Sequence, residues 1–130
     1  MTVIATGTSG FIGSHLKTAL EGTEEVIYCD LVGEDAITPY QCIRMLRDCK
    51  NSIECVYHLG AISSTTETNI AYLTENNIQI SATLMDICIE KDIPFVYASS
   101  ASVYGLGANG FSESAPLTPL NYYSISKAAV

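Results

Sequence analysis

The chain has 130 residues, room for one domain with a real core and little more. Hydrophobic residues make up 48% and charged residues 15%, which excludes a disordered segment and fits a buried sheet. A net charge of -8 argues against nucleic acid and anionic membrane as partners, since both need a basic surface.

The first predicted element is a short apolar strand over about Thr2 to Thr6, rich in β-branched residues. Three glycines follow it as Gly7-x-x-Gly10-x-x-Gly13, and a helical pattern then runs to about Glu21, with Phe11, Ile12, Leu16, Ala19 and Leu20 recurring at helical spacing. Gly22 is placed to end that helix. Strand, glycine loop and helix in this order are what a dinucleotide site needs. Gly7 suits a tight turn, Gly10 lets the backbone approach a pyrophosphate, and Gly13 lets helix and strand pack closely. The helix N-terminus adds unpaired N–H groups and a partial positive charge. A glycine-rich loop alone can be a plain turn. Asp30 strengthens the reading, because it ends a second apolar run, Val26 to Cys29, at the offset where an acid accepts hydrogen bonds from an adenine ribose.

Leu31 to Pro39 reads as loop, Tyr40 to Lys50 as a helix with Ile43, Leu46 and the stem of Arg47 on one side, and Ile53 to Leu59 as a third strand. A Ser- and Thr-rich loop spans Gly60 to Thr68. A long helix then runs to about Lys91, with Asn77, Ile80, Leu84 and Ile87 on one stripe. Phe95 to Ala98 is a fourth strand, Ser99 to Pro119 a loop, and about Leu120 to Val130 a last helix. Alternating strands and helices imply right-handed crossovers and a parallel, doubly wound α/β sheet.

The five cysteines, Cys29, Cys42, Cys49, Cys55 and Cys88, form no C-x-x-C pair. They read as small buried hydrophobes of a reducing cytosol, and no metal site is expected. Met1 leads straight into the first strand, so neither signal peptide nor spanning segment is expected, and the expected location is the cytoplasm.

A second group of residues carries chemistry. Ser99 and Ser100 follow the fourth strand, and open α/β sheets bind ligands at the carboxyl ends of their strands. Tyr123 and Lys127 stand at i and i+4, on one helix face. A nearby ammonium favours the phenolate of a tyrosine. Such a tyrosine can exchange a proton with a substrate hydroxyl while a nicotinamide takes the hydride, and Ser100 could hold the same oxygen. Alone, Tyr-x-x-x-Lys is more often an ordinary surface turn and Ser99-Ser100 a loop or cap. Behind the glycine motif the catalytic reading gains weight.

With these pieces in place the chain resembles the extended short-chain dehydrogenase/reductases, of the NAD-dependent epimerase/dehydratase kind. The matching stretches are Thr6-Gly7-x-x-Gly10-Phe11-Ile12-Gly13, Val56 to Ala61, Asn77-Ile78, Ser99 to Gly105, and Tyr123-x-x-x-Lys127. A closer likeness, to the ADP-glyceromanno-heptose 6-epimerases, rests on Gly60 to Glu67, Asn76 to Gln79 and Ile93 to Ala101. The resemblance implies a Rossmann-like doubly wound sheet, and transient oxidation of a nucleotide-sugar carbon by tightly bound NAD(P) followed by hydride return. It implies that Gly7, Gly10, Phe11, Ile12 and Gly13 line the pyrophosphate, that Asp30 and Leu31 meet the adenosine ribose, and that Leu59, Gly60, Ala61 and Ser99 run beside the cofactor. Asn77 would support the site. Ser100, Tyr123 and Lys127 would be the catalytic set, with Tyr123 and Lys127 also touching the cofactor. His58 is assigned to packing or a backbone hydrogen bond, and His15 to a half-exposed helix position.

The chain departs from the family pattern in three places. The segment between Asp30 and Ile53 lacks a convincing strand before Asp35, the one candidate for an adenine contact. No Lys or Arg lies between Asp30 and Arg44 to meet a 2′-phosphate, so the residues favour NAD, with NADP second although the heptose epimerases favour NADP. Family enzymes are roughly twice this length, which makes residues 1–130 an incomplete NAD(P)-binding domain with the substrate domain absent. The alternative function is an NAD(H)-binding module or fragment without catalysis. A homodimer through the long helix and the Tyr123 helix is a further expectation from the family.

Overall fold

The computed structural model describes residues 2–23, 25–31, 37–49 and 52–130. The chain divides into two compact units. The first comprises residues 1–60 and 82–98, and the second residues 61–81 and 99–130.

The first unit is built on a parallel sheet of β1 (Thr2–Thr6), β2 (Glu25–Cys29), β3 (Ile53–His58) and β4 (Phe95–Tyr97), in the order β2-β1-β3-β4. β1 is buried along its whole length, with Val3, Ile4 and Ala5 at its centre, as a strand covered on both faces must be. Its register runs Thr2 to Thr6 against Glu25 to Cys29 on one side, and Val3 to Thr6 against Cys55 to His58 on the other. The chain leaves β1 toward β2 and later returns on the opposite side as β3. The carboxyl ends of β1 and β3 are therefore a point where strand order reverses, the place at which open sheets hold ligands.

The helix α1 (Phe11–Ala19) keeps its expected place, and Gly22 follows it at φ +94°. Its apolar stripe is not the buried face: Phe11 is 83% and Ile12 65% exposed, and Gly13 is the buried residue of the helix. The reason is steric. A Cβ on Gly13 would lie 1.9 Å from the Gly7 carbonyl oxygen, so the helix meets the loop through its bare glycine face and its large side chains point elsewhere. His15 is exposed and edge-on to Phe11.

The helix α2 (Pro39–Asp48) starts one residue earlier than Tyr40. Thr38 caps it, accepting from the Gln41 N–H, while the Gln41 side chain accepts from the Thr38 N–H. Cys42, Ile43 and Leu46 are buried. No named strand falls between β2 and α2 among the described residues; an isolated bridge joins Cys29 and Ile37. Asp35 lies outside the described residues. Cys29, Cys42 and Cys88 are fully buried, and Cys49 and Cys55 are half-buried. The Cys42 thiol donates to the Cys29 sulfur, which pushes the Cys42 pKa up and the Cys29 pKa down.

The predicted long helix is continuous but irregular. It consists of α3 (Ile70–Leu73), a wide π turn over Thr74–Gln79, and α4 (Ile80–Glu90). All four stripe residues, Asn77, Ile80, Leu84 and Ile87, are buried. In the second unit, the stretch expected as loop contains a short 3₁₀ helix, Ala101–Tyr104. The Thr118 N–H then donates to the Val103 carbonyl and its hydroxyl to the Tyr104 carbonyl, folding the following loop back. The last helix is α5 (Tyr122–Ala128), capped by Asn121, whose side chain accepts from the Ser124 N–H. Among the described residues no helix is long and apolar enough to cross a membrane, and no cluster of side chains could hold a metal ion.

Candidate active site

In the first unit the site begins where β1 ends. The Gly7 N–H donates to the Cys29 carbonyl, which ties the loop to β2. Gly7 has φ +72°, and a Cβ there would stand 2.6 Å from the Gly60 nitrogen. Only glycine lets the ends of β1 and β3 approach this closely. A three-way contact at Thr6 fixes the approach. Its hydroxyl is 2.6 Å from His58 Nδ1 and accepts from the Gly60 N–H at 3.0 Å. His58 is buried, and its ring packs on Phe95 and Tyr97, so the packing role assigned to it holds. Thr6 was not among the expected site residues. Its signal was available: a hydroxyl at the buried end of a strand needs a partner.

Gly10 differs from its two fellows. A Cβ there would meet only the Gly7 oxygen, at 3.4 Å, so it would project into open space beside the loop. The Gly10 N–H is used by the Gly7 carbonyl, and Gly10 is the N-cap of α1. The first-turn N–H groups of Phe11, Ile12 and Gly13 have no acceptor within the helix, and such groups suit an anion. Asp30 stands at the end of β2. One carboxylate oxygen accepts from the Ser9 N–H at 2.7 Å and the other from the Leu31 N–H at 2.6 Å. The acid thus holds the glycine loop, and Leu31 beside it is exposed. The Leu59 N–H donates to the Thr6 carbonyl, which sets Leu59 and Gly60 alongside the loop. An open cradle, a helix N-terminus and a carboxylate at the second strand end fit a dinucleotide with a free ribose diol.

The second unit carries the other candidates. Ser100 is half-buried, and its hydroxyl contacts the Ser102 hydroxyl at 2.8 Å and accepts from the Ser102 N–H at 3.2 Å. Ser99 is exposed and Ala61 half-buried. α5 presents Tyr123, half-buried, and Lys127, buried at 4% exposure. Burial pushes the Lys127 ammonium below its ordinary pKa. Asn77 is fully buried on the π turn. Its Oδ1 accepts from the Ile62 N–H at 2.7 Å, and its Nδ2 donates to the Ile62 carbonyl at 3.0 Å and to the Ser126 hydroxyl at 2.9 Å. Asn77 therefore holds both the loop after β3 and α5.

The model of the NAD dependent epimerase/dehydratase family matches residues 3–130. The chain belongs to that family. Solved structures agree. MoeE5 in complex with UDP-glucose and NAD is 31% identical, with a TM-score of 0.84 over 99% of this chain and 46% of that one. UDP-glucuronic acid 4-epimerase from Bacillus cereus in complex with NAD is 27% identical, with a TM-score of 0.71 over 99% of this chain and 49% of that one. ADP-L-glycero-D-manno-heptose-6-epimerase from Helicobacter pylori, at 24% identity, has a TM-score of 0.81 over 98% of this chain and 48% of that one, a likeness of fold. The chain spans about half the length of these structures. The Rossmann-like parallel sheet read from the sequence is the fold they share.

Proposed function

We propose that residues 1–130 form the NAD-binding part of a nucleotide-sugar epimerase or dehydratase. The open cradle at Gly10, between the ends of two parallel strands, carries the reading. Gly7, Gly10, Phe11, Ile12 and Gly13 would meet the pyrophosphate, Asp30 and Leu31 the adenosine ribose, and Leu59, Gly60, Ala61 and Ser99 the rest of the cofactor. NAD is preferred over NADP, because the Asp30 carboxylate would repel a 2′-phosphate.

Bound NAD would supply the hydride acceptor and, on return, its donor. The chain's residues handle the proton. Tyr123 takes the proton of the sugar hydroxyl while its carbon loses hydride, and gives it back on return. Lys127, four residues on in α5, supplies positive charge to that transfer. The Ser100 hydroxyl donates to the sugar oxygen and fixes its position. For the sugar nucleotide, the Gly60–Glu67 and Ile93–Ala101 stretches support an ADP-heptose. A UDP-hexose, as bound by MoeE5, is the competing substrate.

Calorimetric titration of this chain with NAD and NADP is the test, with Gly10→Val as control. Saturable NAD binding at least about tenfold tighter than NADP, lost in a Gly10→Val chain that still folds, is the expected outcome. A folded chain that binds neither dinucleotide, or a Gly10→Val chain that binds as wild type, overturns the reading.

A further inference from the structure

A buried hydroxyl bonds the π turn to α5. Ser126 is 2% exposed. Its Oγ accepts from Asn77 Nδ2 at 2.9 Å and donates to the Tyr123 carbonyl oxygen at 2.7 Å. The residue lies directly before Lys127 and three after Tyr123. It therefore spends its single proton on the backbone of one of the two residues and receives a bond one position from the other.

We infer that Ser126 is a positioning residue, which fixes the helical turn carrying Tyr123 and Lys127 to the buried side chain of Asn77. Three observations carry it. Asn77 has no amide proton to spare: one is spent on the Ile62 carbonyl and the other on Ser126, while its carbonyl oxygen accepts from the Ile62 N–H. A serine that bonds back to the i−3 carbonyl sets the local pitch of a helix, so the bond to the Tyr123 carbonyl bears on the direction in which Tyr123 leaves α5. Finally, α5 runs only from Tyr122 to Ala128, too short to be stable by itself, so its form depends on tertiary anchors. The Asn121–Ser124 capping box closes its first turn locally, and Ser126 with Asn77 provides a tertiary anchor.

The inference rests on the reading of Tyr123 and Lys127 as the proton-handling pair, and its test is independent of NAD. Amide hydrogen exchange and the side-chain couplings of Tyr123 would be measured by NMR in wild type, Ser126→Ala and Ser126→Thr. In Ser126→Ala, the amides of Ile125 to Ala128 should exchange about tenfold faster while those of β1 and β3 stay unchanged, and the Tyr123 couplings should average over several rotamers. Ser126→Thr, which keeps the hydroxyl, should stay near wild type. Unchanged α5 exchange with a single Tyr123 rotamer in the alanine variant overturns the inference. So does an equal acceleration in β1 and β3, which would mark a general loss of stability, or an equal effect of threonine and alanine. Should Ser126→Ala not fold, Ser126→Cys fills the same space with a weak hydrogen-bonding group and is read the same way. A failure of NAD titration on wild type would sink the proposed function without altering these comparisons.

Discussion

Single side chains in this chain do two kinds of work, holding strand ends together and holding charge out of water. Thr6 does the first. Its hydroxyl serves both His58 Nδ1 and the Gly60 N–H, so Thr6→Val, nearly the same size, removes a partner from two buried groups at once. The variant should be about 2 kcal/mol less stable in urea, with an unchanged m-value. A loss below about 0.5 kcal/mol would mean that water or another group replaces the hydroxyl. Lys127 does the second. Burial lowers its pKa from 10.5, so the folded state releases its proton at a lower pH than the unfolded state does. Between the two pKa values the unfolded chain binds more protons, and the lysine's contribution to stability therefore rises with pH up to about 10.5. Below the folded pKa the full cost of burying the charge is present. Lys127→Met should accordingly be more stable than wild type at pH 7, and the gap should narrow as pH approaches 10. Denaturant melts of the two chains across pH 7 to 10 measure this. A gap that widens with pH would show that an interaction with the charged ammonium, not burial, governs the residue.

Elements differ in how far the sequence discloses them. The strands and α1, α2 and α5 were legible to within a few residues, because apolar period and glycine punctuation decide them locally. The glycine loop was legible as a turn between β1 and α1, but the structure shows a steric demand only at Gly7, against Gly60, and at Gly13, against Gly7, while Gly10 borders open space. Three features were not. The π turn at Thr74–Gln79 carries Asn77, whose buried amide on an otherwise apolar stripe is satisfied by the backbone of Ile62, fifteen residues away, and by Ser126, partners that local sequence does not contain. The exposure of Phe11 and Ile12 follows from the Gly7–Gly13 contact, which helical periodicity does not contain. The link through Ser126 needs α5 and the π turn in place together. The cap of α2 belongs to a fourth kind: Thr38-x-x-Gln41 is a capping-box pattern that was present in the sequence, and reading it would have moved the helix start from Tyr40 to Pro39. Likewise Asn121 ahead of Ser124 marks the start of α5.

For the molecule as a whole, charge is the dominant property that the fold must overcome. NAD is an anion, and the chain carries -8. Two fields of opposite sign act on an arriving dinucleotide. The net charge repels it at long range, and the N–H groups of the first turn of α1 attract it at short range. Salt distinguishes them. At about 0.01 M ionic strength charges interact over about 30 Å, and at about 0.15 M over about 8 Å, so added salt removes the long-range repulsion but leaves contacts inside the loop largely intact. The association rate of NAD with this chain should therefore rise with ionic strength, opposite to the behaviour of a basic anion-binding protein. If Asp30 meets the adenosine ribose as proposed, NADP, whose extra phosphate would face that carboxylate, should gain more than NAD over the same range, so selectivity for NAD should shrink as salt is added. Stopped-flow binding at two ionic strengths measures both effects. If the rate for NAD falls with salt, a local positive field outweighs the -8, and the lysines or arginines responsible must lie close to the loop. Lys17 on α1 is then the first to replace, since its ammonium lies over the ring of Tyr28, 4.9 Å from the ring centre, on the strand that ends at Cys29, next to Asp30. Lys17→Met would restore a rate that rises with salt in that case, and would leave the slope as it is if repulsion by the whole chain sets it.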